Sequence, residues 1–218
     1  MEIIKLLTGP IGTNTYIVYK EEGTAEAPAP AVCIDPADAK PVLRALKNHG
    51  LHLTDILLTH GHFDHILGVR ELRDAEGAKV YIHPLDAPAL ETGEGSLSVM
   101  CGIRPVTCPA DKLLRDGEEF TAAGITFRCI HTPGHTPGGV CFIADGEKDK
   151  RGLPVIFSGD TLFCFSIGRT DLPGGSTEDL IDSIAFRLFT LHGDYTVYPG
   201  HNMTTTLDAE RQHNPYVK

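Results

Sequence analysis

The sequence contains no run of Lys or Arg longer than two residues, and its 19 basic residues face 29 acidic ones. The formal net charge is −10 with histidine counted as neutral. Proteins that bind nucleic acid or an anionic membrane surface need a basic patch, which this pattern does not provide. We therefore expect neither a nucleic acid nor a membrane as a partner.

No segment is long and apolar enough to span a membrane. The N-terminus, MEIIKLLTGPIGTNTYIVYK, lacks the basic region and long apolar stretch of a secretion signal. The six cysteines form no CxxC pair and no spacing typical of a disulfide framework. Several lie in apolar runs such as AVCI and GVCFI, where a thiol behaves as a small buried hydrophobe. These absences favour a cytoplasmic protein with reduced thiols.

The chain alternates between strand-like and helix-like patterns over its 218 residues. The stretches EIIKLL, TNTYIVYK and AVCID are β-branched and partly alternating, which predicts strands. The stretches KPVLRALKNHG, GVRELRDAEG and STEDLIDSIAFRLFTLHGD show helical spacing, and Ser176 with Asp179 forms a capping pattern in the last. Strands mixed with helices, without a change in composition, predict one layered α/β domain over residues 1–218.

The second half continues this pattern. Strands are predicted at DILLT, KVYIH, GITFRCIH, GGVCFIA, LPVIFSG and YTVYPGH, and a short helix over 206–213. Residues 86–111 fit no period, and a loop of this length is either functional or mobile. We expect residues 86–108, which include Cys101 and Cys108, to form one lip of a substrate cleft.

The most informative stretch is THGHFDH, residues 59–65. It holds three histidines and an aspartate within six positions, His60, His62, Asp64 and His65, and packing alone rarely produces such a cluster. Histidine and carboxylate are suitable ligands for Zn²⁺, and a catalytic site keeps one position free for water. The stretch therefore predicts part of a metal site.

Three further candidates each follow a strand-like run and lie beside a glycine. They are His135 in HTPGHTPGG, Asp160 in VIFSGD and His201 in VYPGH. Each is a weak turn signal alone, and an isolated histidine at a strand end is more often packed or on the surface. The histidine loop makes the metal interpretation the better one. Five histidines and two carboxylates exceed one tetrahedral ion, so we predict two ions with one carboxylate between them.

These motifs, with TNTYIV, IDPAD, SIGRTDLPGG and NPY, make the chain similar to metallo-β-lactamase-fold hydrolases. Within them it resembles the glyoxalase II-like branch, particularly its short single-domain bacterial members. The resemblance implies an αββα four-layer sandwich with the metal site at the sheet edge. It implies two zinc ions, with iron or manganese as alternatives at either position. The implied ligands are His60, His62 and His135 for the first ion, Asp64, His65 and His201 for the second, and Asp160 between them.

The resemblance also implies hydrolysis of a small acyl thioester, similar to S-lactoylglutathione, by a hydroxide held between the ions. Asp64 is then the catalytic residue that orients the hydroxide. Arg169 in GRTD matches a basic substrate contact of the family, and a salt bridge with Asp171 is the alternative interpretation. Asn202, directly after His201, is a second candidate substrate contact. The expected partner is a small-molecule thioester, and the expected state is a monomer or homodimer.

The chain departs from the family pattern in three places. It ends 17 residues after His201, without the C-terminal helical domain of full-length glyoxalase II. Met203 stands where that branch often has tyrosine, and Ala37 replaces the usual glycine of the IDPAD motif. These departures leave the thiol carrier of the substrate open. Asp160, in place of the cysteine of antibiotic-hydrolysing enzymes, argues against a β-lactam.

Other functions fit the same motifs. Persulfide dioxygenases share the ligand pattern and a GRTD segment, and they bind one iron through His60 or His62, His135 and Asp160. A lactone or ester hydrolase would use the same ions and the same attack. A non-catalytic metal-binding module is the third class, although such a module would tolerate loss of ligands. The number and identity of the bound metals discriminate the dinuclear hydrolase from the single-iron dioxygenase.

Overall fold

The structure is a computed structural model that describes residues 1–217. The strands are β1 (Glu2–Thr8), β2 (Thr13–Tyr19), β3 (Ala29–Ile34), β4 (Leu51–Leu57), β5 (Lys79–Ile82), β6 (Lys112–Leu113), β7 (Glu119–Ala122), β8 (Ile125–His131), β9 (Val140–Ala144), β10 (Val155–Gly159), β11 (Leu162–Phe163), β12 (Ser166–Ile167), β13 (Thr196–Pro199) and β14 (Thr205–Thr206). The helices are α1 (Ala39–Asn48), α2 (Phe63–Ile66), α3 (Val69–Glu76), α4 (Pro88–Glu91), α5 (Thr177–Ser183) and α6 (Leu207–His213). A π-helical turn over Ile184–Leu188 continues α5.

Two six-stranded sheets form the centre of the fold. The first has the order β1-β2-β3-β4-β5-β6, antiparallel from β1 to β3 and parallel from β3 to β6. The second has the order β14-β13-β10-β9-β8-β7, in which only β10 and β13 run parallel. Parallel neighbours need crossover connections, and α1 and α3 serve this purpose in the first sheet.

The two sheets pack face to face with helices outside them. Successive side chains of a strand point to opposite faces of a sheet. Val18 accordingly packs between the sheets with Phe127 and Phe142. Ile17, one residue away, faces outward into a cluster that includes residues of α1 and α3. A third cluster covers the second sheet with three fully buried side chains from α5 and the π-helical turn, Leu180, Ile184 and Leu188. The predicted α/β class and four-layer order are confirmed.

Most predicted strands and helices are present, with three corrections. The helix predicted over 176–194 is wrong in its second half, because α5 ends at Ser183 and the π-helical turn ends at Leu188. Ser176 caps α5, since its side chain accepts a hydrogen bond from the Asp179 N–H. The histidine loop contains a helical turn, α2, and the irregular segment contains α4. The short strands β6, β7, β11, β12 and β14 were not predicted.

Composition predicted neither a membrane-spanning segment nor a disulfide framework. No helix within residues 1–217 is long and apolar enough to cross a membrane. No disulfide joins the cysteines in that range; Cys101 is exposed and Cys164 half-buried, and the other cysteines are buried.

Candidate metal centre

All seven predicted ligands meet at one edge of the two sheets. Four strands deliver them. β4 leads into the histidine loop and α2, β8 into the turn with His135, β10 directly into Asp160, and β13 into His201. At this edge the chain packs so closely that a Cβ on Gly200 would collide with the Asp160 carboxylate and the His65 ring. The glycine of PGH is therefore required by the approach of this turn to two of the candidate ligands.

His60, His62 and His135 form a first cluster of candidate ligands. All three are at most 4% exposed. Their ring centroids lie 4.7 Å apart for His60 and His62, 4.8 Å for His60 and His135, and 4.6 Å for His62 and His135. One nitrogen from each ring lies within 4.8 Å of the other two, which is close enough for a shared ion.

Asp64, His65 and His201 form a second cluster. Asp64 Oδ2 lies 3.2 Å from His201 Nε2 and 3.3 Å from His65 Nε2. Asp64 and His65 come from α2, whereas His201 follows β13. Thr13 Oγ1, at the start of β2, donates a 3.0 Å hydrogen bond to Asp64 Oδ2. Two residues of one helical turn thus meet a histidine from the other sheet.

Asp160 lies between the two clusters. Its Oδ2 is 3.4 Å from His135 Nε2 in the first cluster and 3.6 Å from His201 Nε2 in the second. Its Oδ1 is 3.5 Å from His65 Nε2. A carboxylate in this position is within reach of an ion in each cluster, as the sequence predicts for Asp160.

The unpaired polar atoms of the site fit bound metal. The Nε2 atoms of His60, His62, His65 and His135 and the Oδ1 atom of Asp160 are buried, and none has a hydrogen-bond partner among the described residues. Buried polar side-chain atoms in native proteins nearly always have a partner. The donor set of imidazole nitrogens and carboxylate oxygens suits Zn²⁺ and also accommodates iron or manganese. The residues therefore fit a pair of metal ions.

Hydrogen bonds on the far side of three rings point Nε2 toward the centre. His65 Nδ1 donates to Asp35 Oδ2 at 2.9 Å, and His135 Nδ1 donates to the Arg169 carbonyl oxygen at 2.7 Å. Thr59 Oγ1 donates to Asp35 Oδ2 at 2.6 Å, so it accepts from His60 Nδ1 at 3.1 Å. A histidine that donates through Nδ1 keeps the Nε2 lone pair for a ligand bond.

Burial and charge divide the ligands into two electrostatic groups. Burial, together with the neighbouring His135, lowers the pKa of His62 to about 3. Burial also lowers the pKa of His60, and His65 adds to the effect. Burial opposes the charged form of His65 as well, but Asp64 and the other nearby carboxylates raise its pKa well above the usual value. His60 and His62 of the first cluster are thus neutral imidazoles, whereas the second cluster pairs imidazole with the anionic oxygen of Asp64.

Two supporting residues were missed as site residues in the sequence. Asp35, in the IDPAD motif, accepts from Thr59 N and Oγ1 and from His65 Nδ1, and its place in that motif was the available signal. Asp86 is 6% exposed and joins the two loops that carry the first cluster. Its Oδ2 accepts from Gly61 N at 2.9 Å and Thr136 Oγ1 at 2.8 Å, and its Oδ1 accepts from Gly138 N at 2.7 Å. No motif marks Asp86, because two of its three donors are backbone amides.

A cleft of about 560 Å³ opens over the centre. Its lining includes five of the candidate ligands and both candidate substrate contacts, Arg169 and Asn202. Leu97 and Cys101 also line it, so the irregular segment supplies part of the wall. Arg169 forms the salt bridge that was its alternative interpretation, with both Asp171 oxygens at 2.7 Å.

Comparisons with known proteins agree with this architecture. Residues 9–201 match the model of the metallo-beta-lactamase superfamily. The hydroxyacylglutathione hydrolase GloC of Haemophilus influenzae is 33% identical over 207 residues, which cover 94% of this chain and 92% of GloC.

Solved structures share the fold over nearly the full chain. The BLEG-1 B3 metallo-beta-lactamase is 38% identical with a TM-score of 0.88, and the match covers 100% of both chains. TTHA1623 in a di-iron-bound form is 38% identical with a TM-score of 0.78 and covers 98% of this chain and 100% of its own. ETHE1 from Myxococcus xanthus is 29% identical with a TM-score of 0.76, covering 99% and 84%. With its strand-end cluster of histidines and carboxylates and its match over residues 9–201, the chain belongs to the metallo-beta-lactamase superfamily.

Proposed function

We propose that this protein is a dinuclear metal-dependent hydrolase of small acyl thioesters. The observation that carries the proposal is the position of Asp160 between two separate three-residue clusters, all opening into one cleft. His60, His62 and His135 would hold the first ion, and Asp64, His65 and His201 the second. A pair of divalent ions supplies an activated water at neutral pH and polarises a carbonyl oxygen.

The residues of the chain would orient the reacting groups. Burial opposes ionisation of Asp64, but His65 and His201 lower its pKa far below the usual range, so Asp64 is anionic. Thr13 fixes the Asp64 carboxylate by donating to Oδ2. Asp64 can therefore accept a hydrogen bond from the attacking water and align it with the scissile carbonyl. A thiolate is a good leaving group, so the reaction needs no separate acid to protonate the sulfur.

The relatives support a hydrolase, and one of them supports the thioester. The name of the Haemophilus influenzae relative states that it acts on a hydroxyacylglutathione, which is a thioester. The di-iron form of TTHA1623 supports the use of two ions in a closely similar fold. Iron at one or both positions is therefore an alternative to zinc. Lactones and simple esters are alternative substrates, because the same attack opens them.

The second candidate is an oxidoreductase with one iron, of the persulfide dioxygenase class. The observations that favour it are the GRTD segment and the structural likeness to ETHE1. Such an enzyme would use ligands from the first cluster and Asp160 and leave the second cluster idle. The close approach of Asp64, His65 and His201 favours the hydrolase, because an idle cluster has no need for this geometry.

The proposal is tested by thiol release from a panel of acyl thioesters with the metal-loaded protein. Asp64→Asn should lower kcat by at least about 100-fold, because the amide cannot hold the nucleophile as the anion does. Asp55→Asn is the matched control, since Asp55 is also buried and accepts three hydrogen bonds but contacts no candidate ligand. A metal-replete Asp64→Asn protein with full activity would contradict the proposed role. Oxygen consumption with glutathione persulfide, without thioester hydrolysis, would favour the oxidoreductase.

A further inference from the structure

Apart from the candidate ligands, most residues that line the cleft over the metal centre are apolar, and Ser166, Arg169 and Asn202 are the polar exceptions. Its hydrophobic lining comes from several elements: Ile11, Phe63, Leu97, Phe163, Ile167 and Leu172. These side chains come from the turn between β1 and β2, from α2, from the irregular segment, from the hairpin of β11 and β12 and from the segment after it. An apolar wall beside a reacting carbonyl favours apolar substituents on that carbonyl.

Exposed hydrophobic side chains lie in this lining or next to it in sequence. Ile11 is 59% exposed although it lines the cleft. Phe165 and Met203, each next to a lining residue in sequence, are 48% and 67% exposed. An exposed apolar side chain such as Ile11 in the lining of a cleft is typical of a ligand-binding groove.

The cleft offers little positive charge from its side chains. Among the described residues, Arg169 is the only Lys or Arg that lines it. Both Asp171 oxygens accept hydrogen bonds from the Arg169 guanidinium, at 2.7 Å each. This exposed pair adds little stability, but it cancels the charge that an anionic substrate would use. The nearby Lys5 ammonium donates to the Asn202 carbonyl oxygen at 2.8 Å.

We infer that the cleft selects thioesters that are uncharged and apolar on both sides of the scissile bond. A carrier such as glutathione brings two carboxylates, which find no unpaired Lys or Arg in the lining and lose hydration there with little compensation. The inference rests on the proposed thioester hydrolysis and names its substrate class. Water adds its oxygen to the acyl carbon, the carbon–sulfur bond breaks, and the products are a carboxylic acid and a free thiol.

Two substrates with the same acyl group distinguish a preference for uncharged thioesters from a preference for glutathione thioesters. S-butanoyl-N-acetylcysteamine is uncharged, and S-butanoylglutathione carries the tripeptide carboxylates. We expect kcat/KM to be at least about tenfold higher for the uncharged substrate, equivalent to about 1.4 kcal/mol. Equal or better hydrolysis of the glutathione thioester would overturn the inference and leave the proposed function intact. If the metal-loaded protein hydrolyses neither, the proposed function itself fails.

The acyl group gives a second test. From acetyl to hexanoyl on N-acetylcysteamine, each added methylene should raise kcat/KM about threefold, because it moves from water to an apolar wall. A flat series would show that the wall does not bind the acyl chain and would overturn this part of the inference.

The salt bridge between Arg169 and Asp171 gives a third test of the inference. Asp171→Asn releases Arg169, so kcat/KM for S-butanoylglutathione should rise about threefold to tenfold relative to kcat/KM for the uncharged substrate. Asp182→Asn is the matched control, because Asp182 is an exposed carboxylate on α5 and its substitution changes the net charge equally. No selective gain in Asp171→Asn, or an equal gain in the control, would contradict the role given to the Arg169–Asp171 pair.

Discussion

Asp86 shows how a buried side chain outside the ligand set can define the metal centre. Its carboxylate receives Gly61 N from the histidine loop and Gly138 N and Thr136 Oγ1 from the loop that carries His135. The first cluster is built from these two loops, so the separation of His60 and His62 from His135 depends on this carboxylate.

We therefore expect Asp86→Asn to weaken binding of the first ion. The amide places an N–H group against at least one of the three donors, and the two loops separate. Substitution of residues that orient metal ligands typically lowers metal affinity by about 10–100-fold. Metal affinity measured by competition with a chelating dye should show this loss for one of the two ions and little change for the other.

Asp55→Asn is the control for general destabilisation. Asp55 accepts from Thr54 Oγ1, Tyr81 OH and Ala123 N, so its loss should lower the thermal midpoint without changing metal affinity. If both variants lose metal affinity equally, Asp86 acts only through stability. Equal affinities of Asp86→Asn and the unaltered protein for both ions would show that the hydrogen bonds of Asp86 to the two loops are not needed for metal binding.

The clustering of the seven candidate metal ligands could be predicted from the sequence, whereas the residues that support them largely could not. His60, His62, Asp64 and His65 are concentrated in one short stretch, and that local density is visible in the sequence alone. Asp86 has no such signal, because its importance arises from backbone amides of residues far away along the chain. The Arg169 salt bridge was one of two interpretations, and only its geometry with Asp171 decides that the bridge forms.

The hairpin of β11 and β12 depends on a side chain from α6. Phe165, in the turn of this hairpin, has a left-handed backbone with φ 52°. Its N–H donates to both oxygens of the fully buried Glu210 at 3.1 Å. Thr205 Oγ1 and Asn214 Nδ2 donate to the same carboxylate at 2.6 and 2.9 Å. Glu210 therefore fixes a hairpin that lines the cleft over the candidate metal centre.

Glu210→Ala should destabilise the protein by about 2–3 kcal/mol, because it leaves several buried donors without an acceptor. It should also raise KM, because Phe163 and Ile167 of the hairpin line the cleft. Urea unfolding and steady-state kinetics measure the two effects. Glu210→Gln retains one carbonyl oxygen and should lose less stability. An Ala variant as stable as the Gln variant would show that the carboxylate does not hold the hairpin.

A pair of stacked histidines connects the two sheets. His83 follows β5 and His131 ends β8, and their rings lie 4.2 Å apart at an interplanar angle of 10°. His131 Nε2 donates to the Pro137 carbonyl oxygen at 2.9 Å. Burial, and then the neighbouring His131, lowers the pKa of His83 to about 4. Neutral His83 is thus the form that the folded protein favours.

This shift predicts a loss of stability in acid. Between about pH 6.5 and pH 4 the unfolded chain binds a proton at His83 that the folded protein does not, so the free energy of unfolding decreases as the pH falls. His83→Phe keeps an aromatic ring in the stack and removes this proton site. As the pH falls from about 6.5 to about 4, the thermal midpoint of the variant should therefore increase relative to that of the unaltered protein. A constant difference between the two would contradict the shift.

The regular strands and helices were predictable where the repeating pattern of apolar residues extends over enough positions to be recognised. The first three strands, α1 and α3 lie where the patterns predict them. β11, β12 and β14 have two residues each, too few to show an alternation. The π-helical turn escaped prediction because Leu180, Ile184 and Leu188 keep a spacing of four residues that also suits an α-helix. The lengths of these elements depend on tertiary packing rather than on local pattern.

The packing of the two sheets explains why separate motifs become one site. The ends of β4, β8, β10 and β13 meet at one edge, which brings residues 141 positions apart in sequence, from His60 to His201, into one site. The alternation of strand residues predicts the layers, but the cleft volume and its apolar lining depend on irregular segments. These segments carry no periodic signal, so the proposed substrate class depends on features that the sequence pattern does not show.

A dinuclear hydrolase requires that both clusters bind metal in the same molecule. Mass spectrometry of metals in protein purified without chelators or a metal-affinity tag tests it most directly, with His201→Ala beside the unaltered chain. We expect about two ions per unaltered chain, as zinc or a mixed pair, and about one ion per chain in His201→Ala. About one iron per chain, unchanged in His201→Ala, would contradict the dinuclear hydrolase and favour the single-iron oxidoreductase.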